Sequence, residues 1–234
     1  DAQARRPSSV SPPPRRPVEG RAAQCESFDA SLVNQGHAVL DVRSAAEFGA
    51  GHVPGSVNIG LGGQFASWAG TLLQIGTPLI LVADAEEKVD EAVTRLARVG
   101  HENVRGYLRG GAQEWRSAGF DLAVLPQVTV EELRRRLEED EGLQVLDVRR
   151  PAEFAAGHVP RAVSTPLSPR LREEAAPRLD PARPVAVVCA GGYRSSAAAS
   201  LLKRHGLHNL LNVAGGTGAW VAAGFPVEKP SGAN

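Results

Sequence analysis

Val39-Leu40-Asp41-Val42-Arg43 returns as Val145-Leu146-Asp147-Val148-Arg149, and this recurrence decides the fold. Working outward, Ala46-Glu47-Phe48 returns as Ala152-Glu153-Phe154, and Gly51-His52-Val53-Pro54 returns as Gly157-His158-Val159-Pro160. All three pairs keep one separation, the 106 residues from Asp41 to Asp147. Further on, Gly110-Gly111 with Trp115 and Gly119-Phe120 is answered by Gly215-Gly216 with Trp220 and Gly224-Phe225. The chain is therefore a duplicated unit of about a hundred residues, a usual size for one core. Within the first copy, Val39–Val42, Val57–Ile59, Leu79–Val82 and Val104–Leu108 read as strands, and Glu86–Val99 and Ala112–Ala118 as helices. The second copy opens on a short strand, Val128–Val130; Thr129 caps a helix over Glu131–Glu139, with Glu132 at the capping-box position. Strands alternating with helices predict an α/β fold, a parallel sheet with helices on both faces. Ligands of such sheets bind outside the carboxyl ends of the strands.

One stretch at such an end carries chemistry. Val185–Val188 reads as a buried strand, Cys189-Ala190-Gly191-Gly192-Tyr193-Arg194-Ser195 as a tight loop, and Ser196–His205 as a helix closed by Gly206. Two glycines open backbone conformations closed to other residues, so loop N–H groups can turn toward one point. The helix adds positive potential there. Arg194 would aim a fixed fork at an anion. The combination calls for a thiolate attacking something small or anionic, with amide donors holding the product. The competing reading, a buried thiol that only fills space, leaves the glycines and Arg194 unexplained.

The duplication supplies an internal control. Aligning Pro78 with Pro184 sets Ala83-Asp84-Ala85-Glu86-Glu87-Lys88 against Cys189-Ala190-Gly191-Gly192-Tyr193-Arg194. The first copy lacks the thiol, the glycines and the arginine, and its carboxylates would repel an anion. Features in both copies are then read as scaffold: Asp41/Asp147 with Arg43/Arg149 as strand-end pairs, His52/His158 as turn histidines, and Trp115/Trp220 as helix-to-sheet packing.

Composition bounds the rest. The 234 residues carry 26 basic and 26 acidic side chains, so bulk charge points to neither nucleic acid nor membrane as partner. No apolar run is long enough for a membrane span. Cys25 and Cys189 make no disulfide framework, and a reducing, cytoplasmic setting is the simpler reading. The six histidines show no ligand spacing, so neither a metal nor a cofactor is expected. The absence of Met and the start at Asp1 suggest a processed or excised piece of a longer chain. The Arg/Pro/Ser-rich opening predicts a disordered linker over 1–27, followed by domains at 28–125 and 126–230. Cys25 in that linker could resolve an oxidised Cys189, but a lone linker cysteine is more often incidental. Leu122–Pro126 is a short junction, which suggests that the two domains touch.

The Leu-Asp-Val-Arg, Glu-Phe-x-x-Gly-His-Val-Pro, Cys189–Arg194 and Gly-Gly…Trp motifs together make the chain resemble the rhodanese family of sulfurtransferases, from about Phe28 to Val227. The resemblance implies two tandem domains, each with a parallel sheet of about five strands. It implies a silent first domain, with Ala83 in place of Cys. In the second, Cys189 would be the catalytic residue and Ala190, Gly191, Gly192, Tyr193, Arg194 and Ser195 the substrate cradle. The reaction implied is double displacement. Cys189 takes a sulfane sulfur from a small donor anion, thiosulfate or a low-molecular-weight persulfide, and passes it to cyanide or a thiol. The loop spans six residues from Cys189 to Arg194, counting both ends. Family members with six-residue loops transfer sulfur, and those with one more residue act as phosphatases or arsenate reductases. A persulfide-carrying module docked on a partner enzyme is the other open reading. The Asn58–Gly70 segment and the acidic Ala83–Glu87 segment resemble the silent middle domain of bacterial persulfide dioxygenase fusions of the metallo-β-lactamase fold. Phe65 and Trp68 could then form an inter-domain surface, or ordinary core. After Pro160 the family has a small residue where this chain has Arg161.

Overall fold

The computed structural model describes residues 37–139 and 142–230. The expectations for the linker and for Cys25 fall outside the described residues. Strands β1 (Ala38–Asp41), β2 (Val57–Asn58), β3 (Leu79–Val82) and β4 (Val104–Leu108) form one sheet in the order β2-β1-β3-β4, every pair parallel. Strands β5 (Gln127–Val128), β6 (Gln144–Asp147), β7 (Ala162–Ser164), β8 (Val185–Val188) and β9 (Leu210–Val213) form a second, also parallel, in the order β5-β9-β8-β6-β7. Read from the far edge, β7-β6-β8-β9 repeats the first sheet strand for strand. The expected five strands are met in the second sheet; the first has four among the described residues. The position 106 residues before β5 precedes residue 37.

Both central strands, β3 and β8, are buried along their whole length. Their runs, Leu-Ile-Leu-Val and Val-Ala-Val-Val, are apolar without alternation because helices cover both faces. In the first copy these helices are α1 (Ala45–Ala50), α2 (Phe65–Leu72), α3 (Glu86–Ala97) and α4 (Gly111–Ser117). In the second they are α5 (Val130–Glu139), α6 (Pro151–Ala156), α7 (Leu171–Ala175), α8 (Tyr193–Arg204) and α9 (Gly216–Ala222). Trp115 and Trp220 lie in the helix-to-sheet cores, and their indole N–H groups donate to Asp121 O (2.9 Å) and Pro226 O (2.7 Å). Thr129 caps α5 by accepting the Glu132 N–H at 3.2 Å. The capping box is not closed, because the Glu132 carboxylate turns to Arg135 and Arg136 instead.

Helix α8 begins at Tyr193, three residues before the sequence reading placed it. Gly192, at φ +93°, makes the turn, so Tyr193, Arg194 and Ser195 already belong to the first helical turn. Residues 195–200 of α8 are all buried. A helix buried on every side needs two bodies to cover it. One is its own sheet; the other is the first domain.

The junction anticipated from Leu122–Pro126 is tight. Leu125 is buried in one core cluster with Phe48 of α1 and with Ala197, Ala198 and Ala199 of α8. Trp68 of α2 packs against the clusters of both domains, whereas Phe65 belongs wholly to the first domain's core. Polar contacts fix the register across the boundary. Ser196 Oγ donates to Asn58 Oδ1 at 2.6 Å, and the Asn58 N–H donates to Ser200 Oγ at 3.0 Å. The Asn58 amide nitrogen donates to Asp41 O (3.1 Å) and Arg43 O (3.0 Å), closing a network that contains no water-facing member. Asn58→Ala would strip the Arg43 carbonyl and the Ser196 hydroxyl of their Asn58 partner, while Asp41 O keeps the Ile59 N–H at 3.0 Å. We expect a loss of about 2–3 kcal/mol in chemical denaturation.

Arg161 adopts φ +64°, the left-handed region, where its counterpart Gly55 sits at +77°. The departure after Pro160 is thus one of residue type, with the backbone turn retained. The Arg161 N–H donates to Glu228 Oε2 (3.1 Å) and its guanidinium to Leu137 O (3.0 Å), which offsets part of the strain.

Candidate active site

The carboxyl end of β8 delivers Cys189 into a cavity of about 420 Å³. Behind the loop, α9 presents its first amides to the loop's carbonyls: Thr217 N–H donates to Cys189 O at 2.7 Å and Gly218 N–H to Ala190 O at 2.9 Å. With the Cys189 and Ala190 carbonyls held by α9, the loop turns the Gly192 amide to the sulfur. Gly192 N–H donates to Cys189 Sγ at 3.1 Å, and Ser195 Oγ donates to the same sulfur at 3.4 Å. The first amides of α8 have no acceptor inside their own helix and add positive potential on that side. Both groups at hydrogen-bond distance of the sulfur are donors.

The predicted site residues divide in their placement. Cys189, Ala190, Gly191, Tyr193 and Arg194 line the cavity, together with Gly63, Gln64 and Trp68 of the first domain and Arg150 and Glu153 of the second. Gly192 and Ser195 do not line the cavity and meet the sulfur through their hydrogen bonds to it. Tyr193 holds the first domain: its hydroxyl donates to Gly60 O at 2.8 Å, and burial pushes its phenol up to about 12.

Arg194 requires a correction. Its fork is not free for an incoming anion. Nη1 and Nη2 pair with Glu153 Oε2 (2.8 Å) and Oε1 (2.7 Å) in a bidentate bridge, and this bridge holds the Glu153 carboxyl down at about 2. The planar fork matches a carboxylate in two parallel bonds, and the carboxylate is within reach from the start of α6.

The features read as scaffold are scaffold. Arg149 Nε and Nη2 bind the Asp147 carboxylate, and Nη2 also donates to Gly157 O at 2.8 Å. Arg43 does the same with Asp41 and, at 2.9 Å, with Gly51 O. His52 and His158 each pair Nδ1 with the carbonyl four residues earlier, at 2.8 and 3.0 Å, and stack on Phe48 and Phe154. Burial pushes His52 down to about 4, so it is neutral near pH 7.

Sequence reasoning missed Arg150, Glu153 and the Gly63–Gln64–Trp68 wall as cavity residues. Glu153 repeats Glu47 in the motif, so comparing residue types between the copies does not single it out. The available signal was three residues earlier, at the cap, where Ser44 in the first copy becomes Arg150 in the second.

A motif-bearing thiol at a strand end, cradled by helix-start amides, within a duplicated parallel α/β unit, is matched among known proteins. The rhodanese-like domain family matches residues 25–118 and again residues 129–223. The chain belongs to the rhodanese-like family.

A protein named Sulfurtransferase from Allochromatium vinosum is 33% identical over 106 residues, 45% of this chain and 97% of its own length. Thiosulfate sulfurtransferase 18 of Arabidopsis thaliana is 35% identical over 106 residues, 38% of this chain and 78% of its own length. YrkF of Bacillus subtilis is 29% identical over 119 residues, 51% of this chain, and the chain spans 62% of its length. Among solved structures, the thiosulfate sulfurtransferase from Pseudomonas aeruginosa is 27% identical, covers 83% of this chain and 40% of its own, and gives a TM-score of 0.39. Among the described residues, no helix is long and apolar enough to cross a membrane.

Proposed function

We propose that the chain is a sulfurtransferase in which Cys189 carries the sulfur and the Ala190–Ser195 loop holds it. The observation that carries this reading is the sulfur at the cavity floor facing two donors, Gly192 N–H and Ser195 O–H. In the first half-reaction the Cys189 thiolate attacks the outer sulfur of the donor. With thiosulfate, the S–S bond breaks, sulfite leaves with the electron pair, and Cys189 becomes a persulfide anion. With a small persulfide anion, the S–S bond breaks in the same way and the donor's thiolate leaves with the electron pair. In the second half-reaction cyanide or a thiol attacks the terminal sulfur, and the Cys189 thiolate departs. Neither half needs a base at the sulfur, and among the described residues the partners at hydrogen-bond distance of it are the donors Gly192 N–H and Ser195 O–H. The amides at the start of α8 stabilise the charge on the transferred sulfur.

The first domain is a silent partner in this reading. Buried Ala83 occupies the position of Cys189, and Asp84, Glu86 and Glu87 follow it. Its contribution is mechanical: it supplies one wall of the cavity and anchors Tyr193 and Ser196. The larger assembly implied by the resemblance is a partner or fused domain that makes or consumes persulfides.

A single-turnover panel tests the reading. Thiosulfate and a small persulfide are each mixed with the protein, and the peptide containing Cys189 is weighed for one added sulfur atom. Cyanide or a thiol should then discharge the adduct with release of thiocyanate or a new persulfide. Loading without discharge would favour the carrier module. Absence of loading with every donor would overturn the proposal.

A further inference from the structure

Glu153 occupies a different bond in each copy of the repeat. In the first copy, Glu47 receives the Ser44 hydroxyl at 2.6 Å and the Ser44 N–H at 3.0 Å, closing the cap of α1. Lys88, at the position of Arg194, is engaged elsewhere, with Asp84 at 2.7 Å. In the second copy Arg150 replaces Ser44. It donates only its backbone N–H to Glu153, at 3.1 Å, so the carboxylate is free to take the Arg194 fork. The same replacement sets a second guanidinium at the cavity rim, since Arg150 is exposed and lines the cavity.

The charges lining the cavity are then two cations, Arg150 and Arg194, and one carboxylate, Glu153. Asp147 and Arg149 lie close by but neutralise one another. The fixed surroundings of the sulfur therefore amount to one net positive charge. Resting on the sulfur-transfer reading above, we propose that Glu153 is a specificity-determining residue. By holding the Arg194 fork, it sets the site for a donor bearing a single negative charge, a small persulfide, over doubly charged thiosulfate. A dianion entering this cavity must either draw Arg194 away from Glu153 or sit with one charge uncompensated and a carboxylate beside it. A monoanion is balanced by Arg150 and leaves the bridge intact.

Two variants and two donors test this. Glu153→Gln keeps an acceptor for the Arg150 N–H and removes the charge. The ratio of kcat/KM for thiosulfate to that for the persulfide of 2-mercaptoethanol should rise about tenfold, the scale of one charge-assisted contact. The thiosulfate rate should also fall more steeply with salt than in the parent protein. Arg150→Ala removes the rim charge without adding a hydroxyl that would compete for Glu153, and should lower the same ratio about threefold, on the scale of an exposed charge. A uniform loss with both donors would mark Glu153 as structural only and overturn the inference. So would a ratio unchanged in both variants. If the parent protein loads no sulfur from either donor, the sulfur-transfer reading itself fails. Loading with an unmoved ratio isolates the failure to Glu153.

Discussion

Cys189→Ser should lose the sulfur adduct entirely and lower turnover at least about a thousandfold, with little change in stability. The size of the effect follows from what surrounds the sulfur. Gly192 N–H and Ser195 O–H both donate to it, and neither can take a proton. A serine hydroxyl there would need a base to attack. His158 is not one, being held to Phe154 O at 3.0 Å and stacked on the Phe154 ring. The substituted oxygen would stay protonated and inert. The fold should tolerate the change, because serine keeps the volume and the partners; about 1 kcal/mol is a generous allowance. The first domain shows the same strand end built without sulfur, with buried Ala83 closing β3. Mass measurement of the Cys189 peptide and a thiocyanate assay check the prediction together. Full turnover in Cys189→Ser would remove the thiol from the mechanism.

The architecture was legible because its causes are local and repeated. Leu79–Val82 and Val185–Val188 appear as strands at the bounds the sequence predicts, since unbroken β-branched and apolar runs have only a doubly covered strand to occupy. Helix α8 was harder. Its first turn is Tyr-Arg-Ser after two glycines, which carries no apolar period to mark it, and only the left-handed turn at Gly192 sets its start. The boundary between domains was less legible still. Asn58 lies at the end of a two-residue strand, and its partners Ser196 and Ser200 are 138 and 142 residues away. No local pattern encodes such a pairing, although three buried serines in one helix, Ser195, Ser196 and Ser200, are unusual enough to ask what they bind.

The comparison between copies served well for Asp147, Arg149 and His158, whose bonds are the same in both. It did not single out Glu153, because the same residue stands in both copies while its partners differ. A side chain's role is set by its competitors for hydrogen bonds. The Ser44 hydroxyl is one in the first copy, and Arg150 offers none in the second. The same logic explains the misreading of Arg194. A guanidinium beside a cavity reads as an anion hook until a carboxylate within reach is counted.

Gly216→Ala should be the most damaging small substitution in the molecule, costing about 3 kcal/mol or more. Gly216 sits at φ +54°, which already disfavours any side chain. A Cβ there would come within 2.1 Å of Cys189 O and 2.8 Å of Ala190 C. These are backbone atoms, so no rotamer change relieves the overlap. Either α9 retreats or the Cys189–Gly191 loop moves. Both responses break the bonds from Thr217 N–H to Cys189 O and from Gly218 N–H to Ala190 O. Those bonds hold the loop's carbonyls to the rear, so their loss would let the forward amides turn away from the sulfur. Gly111→Ala makes the matching comparison in the first domain. Its Cβ would approach Ala83 O at 2.7 Å, at φ +62°, so it should destabilise less and leave the sulfur cradle in place. Gly62→Ala meets nothing within 4 Å and should shift stability by no more than about 0.5 kcal/mol. Urea denaturation of the three variants gives the order. Persulfide formation by the fraction of Gly216→Ala that remains folded should be at least about tenfold slower, the loss of roughly one well-placed donor at the sulfur. A Gly216→Ala protein with the parent's denaturation midpoint would mean that α9 does not brace the loop, and the forward-facing amides would need another cause.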